Sequence, residues 1–331
     1  MTQAAYDVLG VGNAIVDILA QADDAFLDRH GMVKGGMVLV DEVRAHAIYR
    51  AMDAGLEASG GSAANTIAGV ASFGGKAAFI GRVKDDEFGT IFAHDLRSLG
   101  VAYETAAAKD GPATARCLVL VTPDAQRTMN THLGACVELT ERDIDPALVA
   151  ASQIIYLEGY LFDPPHAKEA FRKAARLARE AGRKVALTLS DSFCVHRYRG
   201  EFLALIRDHV DILFANDAEI EALYPGASLA DAATTLAGQV EIAAVTRSEK
   251  GSLLVRGGER VEVAAKPIAR LVDTTGAGDL YAAGVLFGLT RGRPLAECGR
   301  LGSIAAAEVI SHYGARPETS LAGLAGEPAL F

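Results

Sequence analysis

The chain has 331 residues, 50% of them hydrophobic, with 32 Lys and Arg against 42 Asp and Glu for a formal charge of −10. This composition excludes a disordered, collagenous or coiled-coil chain, and the length allows two domains or one large domain with a sizeable core. An acidic balance without a run of Lys or Arg offers no footprint for nucleic acid or an anionic membrane, so an anionic ligand has to be held locally. Cys117, Cys136, Cys194 and Cys298 form no C-x-x-C and lack His at metal-ligand spacing, which argues against zinc. No Lys or Arg precedes Arg29, and Asp7 and Asp17 interrupt the apolar start, so no secretory signal is expected; runs such as 281–289 are too short to span a membrane. With reduced cysteines, the expected compartment is the cytoplasm.

Residues 6–12 (YDVLGVG) are an apolar run ending in glycines, the pattern of a buried strand entering a loop, and 13–20 are apolar around one acid. A helix is predicted over 62–73, where Gly60-Gly61 stop, and a strand over 77–83. From 101 to about 133 two strands meet at Thr122-Pro123-Asp124-Ala125 with no helix between them. A βαβ chain does not make that pattern, so this stretch is read as an antiparallel insertion, joined by 36–41. From about 152 onward strands (153–159, 184–190, 210–216, 241–246) alternate with helices (166–181, 201–209, 218–224), which predicts a parallel sheet sandwiched by helices. In the first of those helices Ala170, Phe171, Ala174 and Leu177 form the buried stripe, and Arg172, Lys173, Arg176 and Arg179 face solvent. A hairpin over 252–263 and helices over about 278–291 and 294–311 complete the chain. The predicted fold class is α/β, a single unit whose main part covers about 1–12, 42–100 and 135–331, with a small β-sheet lid over about 13–41 and 101–134.

The densest chemistry lies in Asp273-Thr274-Thr275-Gly276-Ala277-Gly278-Asp279, followed at once by an apolar helical run. Small residues let a ligand approach the backbone, and the loop empties into a helix N-terminus whose free N–H groups favour an anion. Asp279 sits in that first turn, where the helix dipole favours its ionised form by ~0.3–1 kcal/mol. A cap and a turn need only one acid and one glycine. This loop adds Asp273, Thr274 and Thr275, which suits phosphoryl transfer: donors hold the moving group while a carboxylate orients and deprotonates a hydroxyl. Other nucleotide motifs fail: Ile15 stands where Gly10-Val11-Gly12 needs its third glycine, and Gly75-Lys76-Ala77 lacks the hydroxyl after Lys and has Val70 for the first glycine.

Gly60-Gly61-Ser62-Ala63-Ala64-Asn65 with residues 81–89 (GRVKDDEFG) resembles the N-terminal signature of the ribokinase (PfkB) family, and DTTGAGD with its helix resembles the C-terminal one. The two lie about 200 residues apart in the family's order, and Asn216-Asp217-Ala218-Glu219 is similar to the family's N-x-x-E motif. The resemblance implies a ribokinase-like fold and an ATP-dependent kinase of a sugar-like hydroxyl, with Asp279 as general base and Gly276, Ala277 and Gly278 as the anion hole. It implies Asn216 and Glu219 positioning Mg²⁺ through water, Arg127 of the lid turned onto the phosphate, and ATP lying along Asn216, Thr246, Ser248, Gly251 and Thr275. A monovalent cation, K⁺, at the loop around Asp273 and Thr275 is left open.

Within the family, residues 12–18 (GNAIVDI) resemble the strand-end motif of adenosine kinases, in which Asp17 accepts ribose hydroxyls, with Asn13, Gly61, Ser62 and Asn65 beside it; ribokinases carry a similar Asp. Residues 187–190, 211–216 and 311–317 look more like adenosine kinases than ribokinases, which implies phosphorylation of the adenosine 5′-hydroxyl and a place in purine salvage. An adenine slot is sought among Met37, Leu39, Leu133, Tyr160 and Phe162. A kinase of ribose, fructose or 2-keto-3-deoxygluconate stays open as the alternative, as do monomer and homodimer.

Overall fold

The computed structural model describes residues 4–53, 55–124, 126–162 and 165–326. Its strands, in chain order, are β1 (Tyr6–Val11), β2 (Ile15–Gln21), β3 (Met37–Leu39), β4 (Leu56–Gly60), β5 (Ala77–Ile80), β6 (Ala102–Tyr103), β7 (Ala115–Val121) and β8 (Arg127–His132). The second half supplies β9 (Ser152–Glu158), β10 (Lys184–Thr188), β11 (Ile212–Asn216), β12 (Ile242–Thr246), β13 (Ser252–Arg256) and β14 (Glu259–Val263). Among the described residues they form a nine-stranded sheet in the order β14-β13-β12-β11-β10-β9-β1-β5-β6 and a five-stranded sheet in the order β3-β8-β7-β2-β4. From β6 to β12 every pairing of the large sheet is parallel, and the two pairings at its end, β12–β13 and β13–β14, are antiparallel.

Successive side chains of a strand face opposite sides, so a strand covered on both faces is apolar throughout. In β1, Val8 joins one core layer and Leu9 and Val11 the other; in β9, Tyr156 joins the first, Ile155 and Leu157 the second. Helices Ser62–Ser72, Ala277–Thr290 and Leu295–Val309 cover one face, and Pro165–Glu180 with Ser192–His209 the other. Arg172 and Arg176 pair with Glu169 and Glu180 on the exposed side of their helix, as a solvated face should.

The small sheet is mixed: β7–β8 and β2–β4 are antiparallel, β2–β7 and β3–β8 parallel. Two expected boundaries shift. Residues Leu56–Gly60, expected in the main part, pair with β2 in the small sheet, and Ala102–Tyr103, expected in the lid, pair with β5 in the large one. Neither strand carries an alternation long enough to reveal its partner. Ala125 of the expected turn lies outside the described residues. Helix Ser192–His209 is kinked at Tyr198 (φ −120°, ψ 25°): its second part holds the expected 201–209, and the part before the kink, capped by Asp191 accepting from Phe193 N at 2.7 Å, is additional. Helix Glu87–Ser98, absent from the sequence reading, is capped by Asp86 accepting from Gly89 N at 2.8 Å. The second half of the N-terminal signature therefore builds a helix start.

The chain leaves β1 towards β5 and β6 and returns through β9 to build the other side of the sheet. Such a reversal opens a crevice at the carboxyl ends of the flanking strands. Here it lies beyond Val11 and Glu158, and residues 12–14 carry the chain straight from β1 into the small sheet.

Candidate active site

Helix Ala277–Thr290 points its N-terminus at this crevice. Its N-cap is Gly276, held at φ 75° in the left-handed region, and a Cβ there would lie 2.8 Å from that of Ala315, so both backbone and packing demand glycine. Gly276 makes no side-chain cap; Ala277 N donates weakly to the Thr274 carbonyl at 3.3 Å, and the N–H groups of this first turn face the cavity mouth without a side-chain partner. A Cβ on Gly278 would meet nothing within 4 Å and would instead enter the cavity.

Asp279 does not cap its helix. Its Oδ1 accepts from Ser62 Oγ at 2.6 Å and its Oδ2 from Asn65 Nδ2 at 2.9 Å, both on the first turn of helix Ser62–Ser72. Two signatures 200 residues apart thus meet at one carboxylate. Burial raises the Asp279 pKa above the usual carboxylate value; the Ser62 and Asn65 hydrogen bonds and the Arg316 charge oppose it.

The cavity beside it holds about 530 Å³ and is lined by Asp17, Gly61, Ser62, Asn65, Arg127, Tyr160, Asn216, Glu219, Thr246 and the 274–279 loop, so most of the expected residues are brought together. Asp17, on β2, is pushed up to about 6 by burial, against Arg316 and Arg127 and with help from Asp279. A Cβ on Gly60 would sit 2.2 Å from Asp17 Oδ2, and one on Gly61 (φ 93°) 2.2 Å from the Asn13 carbonyl, so the glycine pair makes room for the carboxylate and the turn. A larger open cavity of about 1010 Å³, between the far end of the small sheet and Tyr313, holds neither the loop nor Asp279.

Asn216 and Glu219 line the cavity and also close a capping box: Asn216 Oδ1 accepts from Glu219 N at 2.9 Å, and Asn216 N and Nδ2 donate to the Glu219 carboxylate at 3.0 and 2.8 Å. Glu219 is buried, which pushes its pKa up to about 7. Among the described residues no group of three or more His, Cys, Asp or Glu forms a metal cage. Arg127, on β8, ion-pairs with Asp273, whose carboxylate also accepts from Thr275 N at 2.9 Å and Gly314 N at 3.0 Å. The arginine expected at the phosphate is thus docked on the anion loop.

Six expected residues lie off the cavity wall. Asn13 is buried with its Nδ2 donating to Glu158 Oε1 at 2.7 Å. Phe162 is core, stacked on Phe202 with ring centroids 4.3 Å apart. Leu133 precedes a short 3₁₀ helix, Gly134–Glu138, and does not line the cavity. Ser248 and Gly251 lie in the turn between β12 and β13, beyond Thr246. Of the remaining slot candidates Met37 and Tyr160 line the cavity, and Leu39 faces solvent. The apolar wall is instead Ile15, Cys117, Val119 and Met129 on the small sheet. Reading these four as plain strand core hides them, because only the pairing of β2, β7 and β8 sets which face they share.

Glu158 was also missed. It ends β9 fully inside the protein, accepting from Asn13 N, Asn13 Nδ2 and Ala63 N, and burial pushes it up to about 7. The available signal was an acid closing an apolar strand. Arg316, missed likewise, had no signal beyond its place in the 311–317 tail.

A sequence model of the pfkB family carbohydrate kinases matches residues 51–321. The structure resembles that of adenosine kinase from Sinorhizobium meliloti (55% identity, TM-score 0.90, 98% of this chain and 99% of that one). It resembles equally a probable sugar kinase from Rhizobium etli CFN 42 (51% identity, TM-score 0.90, 98% of both chains). Adenosine kinase of Saccharomyces cerevisiae is 27% identical over 326 residues, 92% of this chain and 94% of that protein. Among the described residues no helix is long and apolar enough to cross a membrane. With both signatures converging on Asp279 in a ribokinase-like fold, the chain belongs to the pfkB family of carbohydrate kinases, ATP-dependent enzymes that phosphorylate an alcohol group.

Proposed function

We propose that the protein transfers the γ-phosphoryl group of ATP to the 5′-hydroxyl of adenosine, giving AMP and ADP, which would place it in purine salvage in the cytoplasm. The observation that carries this reading is the Asp279 carboxylate, held by Ser62 and Asn65 at the mouth of an anion-binding helix and sharing one cavity with Asp17. Asp17 accepts the ribose hydroxyls, and Gly61, Ser62 and Asn65 seat the sugar while aiming Asp279. The wall of Ile15, Val119 and Met129 offers the apolar surface that a purine needs. Asp279 takes the hydroxyl proton as that oxygen attacks in line, and a pKa raised by burial makes it a better base. The N–H groups of Gly276, Ala277 and Gly278 receive the charge developing on the phosphoryl group.

ATP lies along Asn216, Thr246 and Thr275, and Arg127 moves from Asp273 to the phosphate. Mg²⁺ when bound neutralises phosphate charge; a hard cation of this kind keeps several waters and needs few protein oxygens. Glu219, a buried carboxylate on the cavity wall beside Asn216, fits that role. K⁺ at Asp273 would share a carboxylate that accepts from Thr275 N and Gly314 N and, until it moves to the phosphate, from Arg127.

The second reading, a sugar kinase of the same fold, is favoured by the likeness to the Rhizobium etli protein. ADP release with ATP and Mg²⁺ against adenosine, inosine, ribose, fructose and 2-keto-3-deoxygluconate separates the two. Adenosine-dependent turnover is expected, and Asp279→Asn should lower kcat by at least a thousandfold with nucleoside affinity nearly unchanged. Turnover with free sugar alone would shift the assignment to the second reading, and a mutant with near-normal kcat would remove Asp279 from the chemistry.

A further inference from the structure

Residues 314–316 join the two halves of the site. Gly314 N donates to Asp273 at 3.0 Å, and Ala315 packs against Gly276, so this tripeptide supports the anion loop from behind. Arg316 reaches the opposite way. Its Nε donates to the Ser59 carbonyl at 2.9 Å, Nη2 to Ser59 Oγ at 2.8 Å, and Nη1 to the Ala64 carbonyl. Ser59 and Ala64 bracket Gly60-Gly61-Ser62-Ala63, the turn that admits Asp17 and delivers Ser62, with Asn65 following, to Asp279. The guanidinium therefore spans the base of that turn. Ser59 is also held from the other side, its N and Oγ donating to Asp95 at 2.8 and 2.5 Å.

All three of these hydrogen bonds go to neutral oxygens, so the charge of Arg316 acts through space. The carboxylates within its field are Asp95, Asp17 and Asp279. Of the other charges around the site, Arg127 acts on Asp17 in the same sense, Asp279 opposes it, and Asp279 and Glu158 repel one another. Burial lowers the Arg316 pKa to about 10, so the group stays charged at neutral pH.

We propose that Arg316 is a positioning residue for phosphoryl transfer: it clamps residues 59–64 so that Ser62 and Asn65 aim Asp279. This rests on Asp279 being the base. Nothing about Arg316 requires contact with either substrate; its effect passes through the turn and through the field.

The test compares wild type, Arg316→Met, Arg316→Lys and Asp279→Asn by thermal denaturation and by kcat and kcat/KM between pH 5 and 8, with the alcohol that supports turnover. In wild type, kcat/KM should fall on the acid side as the two carboxylates of the site, Asp17 with its pKa pushed up to about 6 and Asp279, take protons. Arg316→Met should move that acid limb upward by half a unit or more and lower kcat at least tenfold. Arg316→Lys, which keeps the charge and loses the three-point clamp, should restore the limb and leave kcat reduced. A folded Arg316→Met with wild-type limb and kcat overturns the proposal. If Arg316→Met does not fold, Arg316→Lys decides alone: reduced kcat with an unmoved limb supports it, and wild-type kcat or a displaced limb overturns it. Asp279→Asn keeps the two readings apart, since loss of turnover there with an indifferent Arg316 rejects only the clamp, whereas retained turnover rejects the base.

Discussion

Two glycines separated by a single alanine do different work in the anion loop. Gly276 is required by its own backbone and by Ala315, whereas Gly278 lies inside the helix start with open space where a side chain would stand. Alanine at 278 should therefore raise stability by about 0.5–1 kcal/mol, the usual helix preference for Ala over Gly, while its methyl group invades the phosphate site. A higher Tm with kcat at least tenfold lower is expected for Gly278→Ala; a variant that gains stability and keeps its turnover would show that no ligand comes this close to the loop. Motif reading finds both glycines but cannot tell them apart, because the difference lies in Ala315, nearly 40 residues downstream. The same limit hid Arg316 and Glu158, whose partners are distant in sequence, and it made Phe162 look like a stacking surface when its partner is Phe202.

At the scale of elements, helix Ala277–Thr290 brings the 274–279 loop to the cavity, and it is buried along most of its length. Its apolar run offers no stripe, which is how a helix enclosed on all sides reads. It is locked against Leu295–Val309 by glycines on both sides: a Cβ on Gly284 would lie 2.4 Å from Gly302 N, and one on Gly302 2.7 Å from the Tyr281 carbonyl. These contacts are with backbone, which cannot swing aside. Gly284→Ala should therefore cost about 1–3 kcal/mol despite the better helix propensity of alanine. Denaturant unfolding measures it, and an unchanged or raised midpoint would mean that the two helices separate without penalty. The hairpin β13–β14 and the alternation after 152 were legible because their periods are local. The partners of the short strands β4 and β6 were not, since a strand of five or two residues carries too little pattern to name its sheet.

For the whole molecule, the crevice gathers carboxylates that burial holds above their ordinary values: Asp17 near 6, Glu158 and Glu219 near 7. Each raised group binds more protons in the folded chain than in the unfolded one between its two pKa values, so folding stability falls as pH rises through that window. For Glu158 and Glu219 the favourable contribution is complete below about 4.5 and lost by passing about 7. Substrate-free protein should accordingly show a Tm that declines from pH 5 to 7.5, and Glu158→Gln should flatten the decline. A Tm that climbs over this range would mean that the carboxylates are solvated or paired in the folded state. Such a site is kept at some expense of stability, as expected where charges are held for catalysis.

The sequence alone determined the class of fold, because strand and helix periods are local, and it singled out the 273–279 loop, Asp279, Asp17 and the Gly60–Asn65 turn as candidates, because a phosphate loop must be glycine-rich wherever it occurs. Tertiary structure alone decided which carboxylates face one cavity, which apolar residues wall it, and that Arg127 docks on Asp273 while Arg316 ties the tail to the turn. Those contacts depend on the pairing of β2, β7 and β8 and on the return of the chain through β9, and register between distant strands leaves no mark on the residues that it brings together.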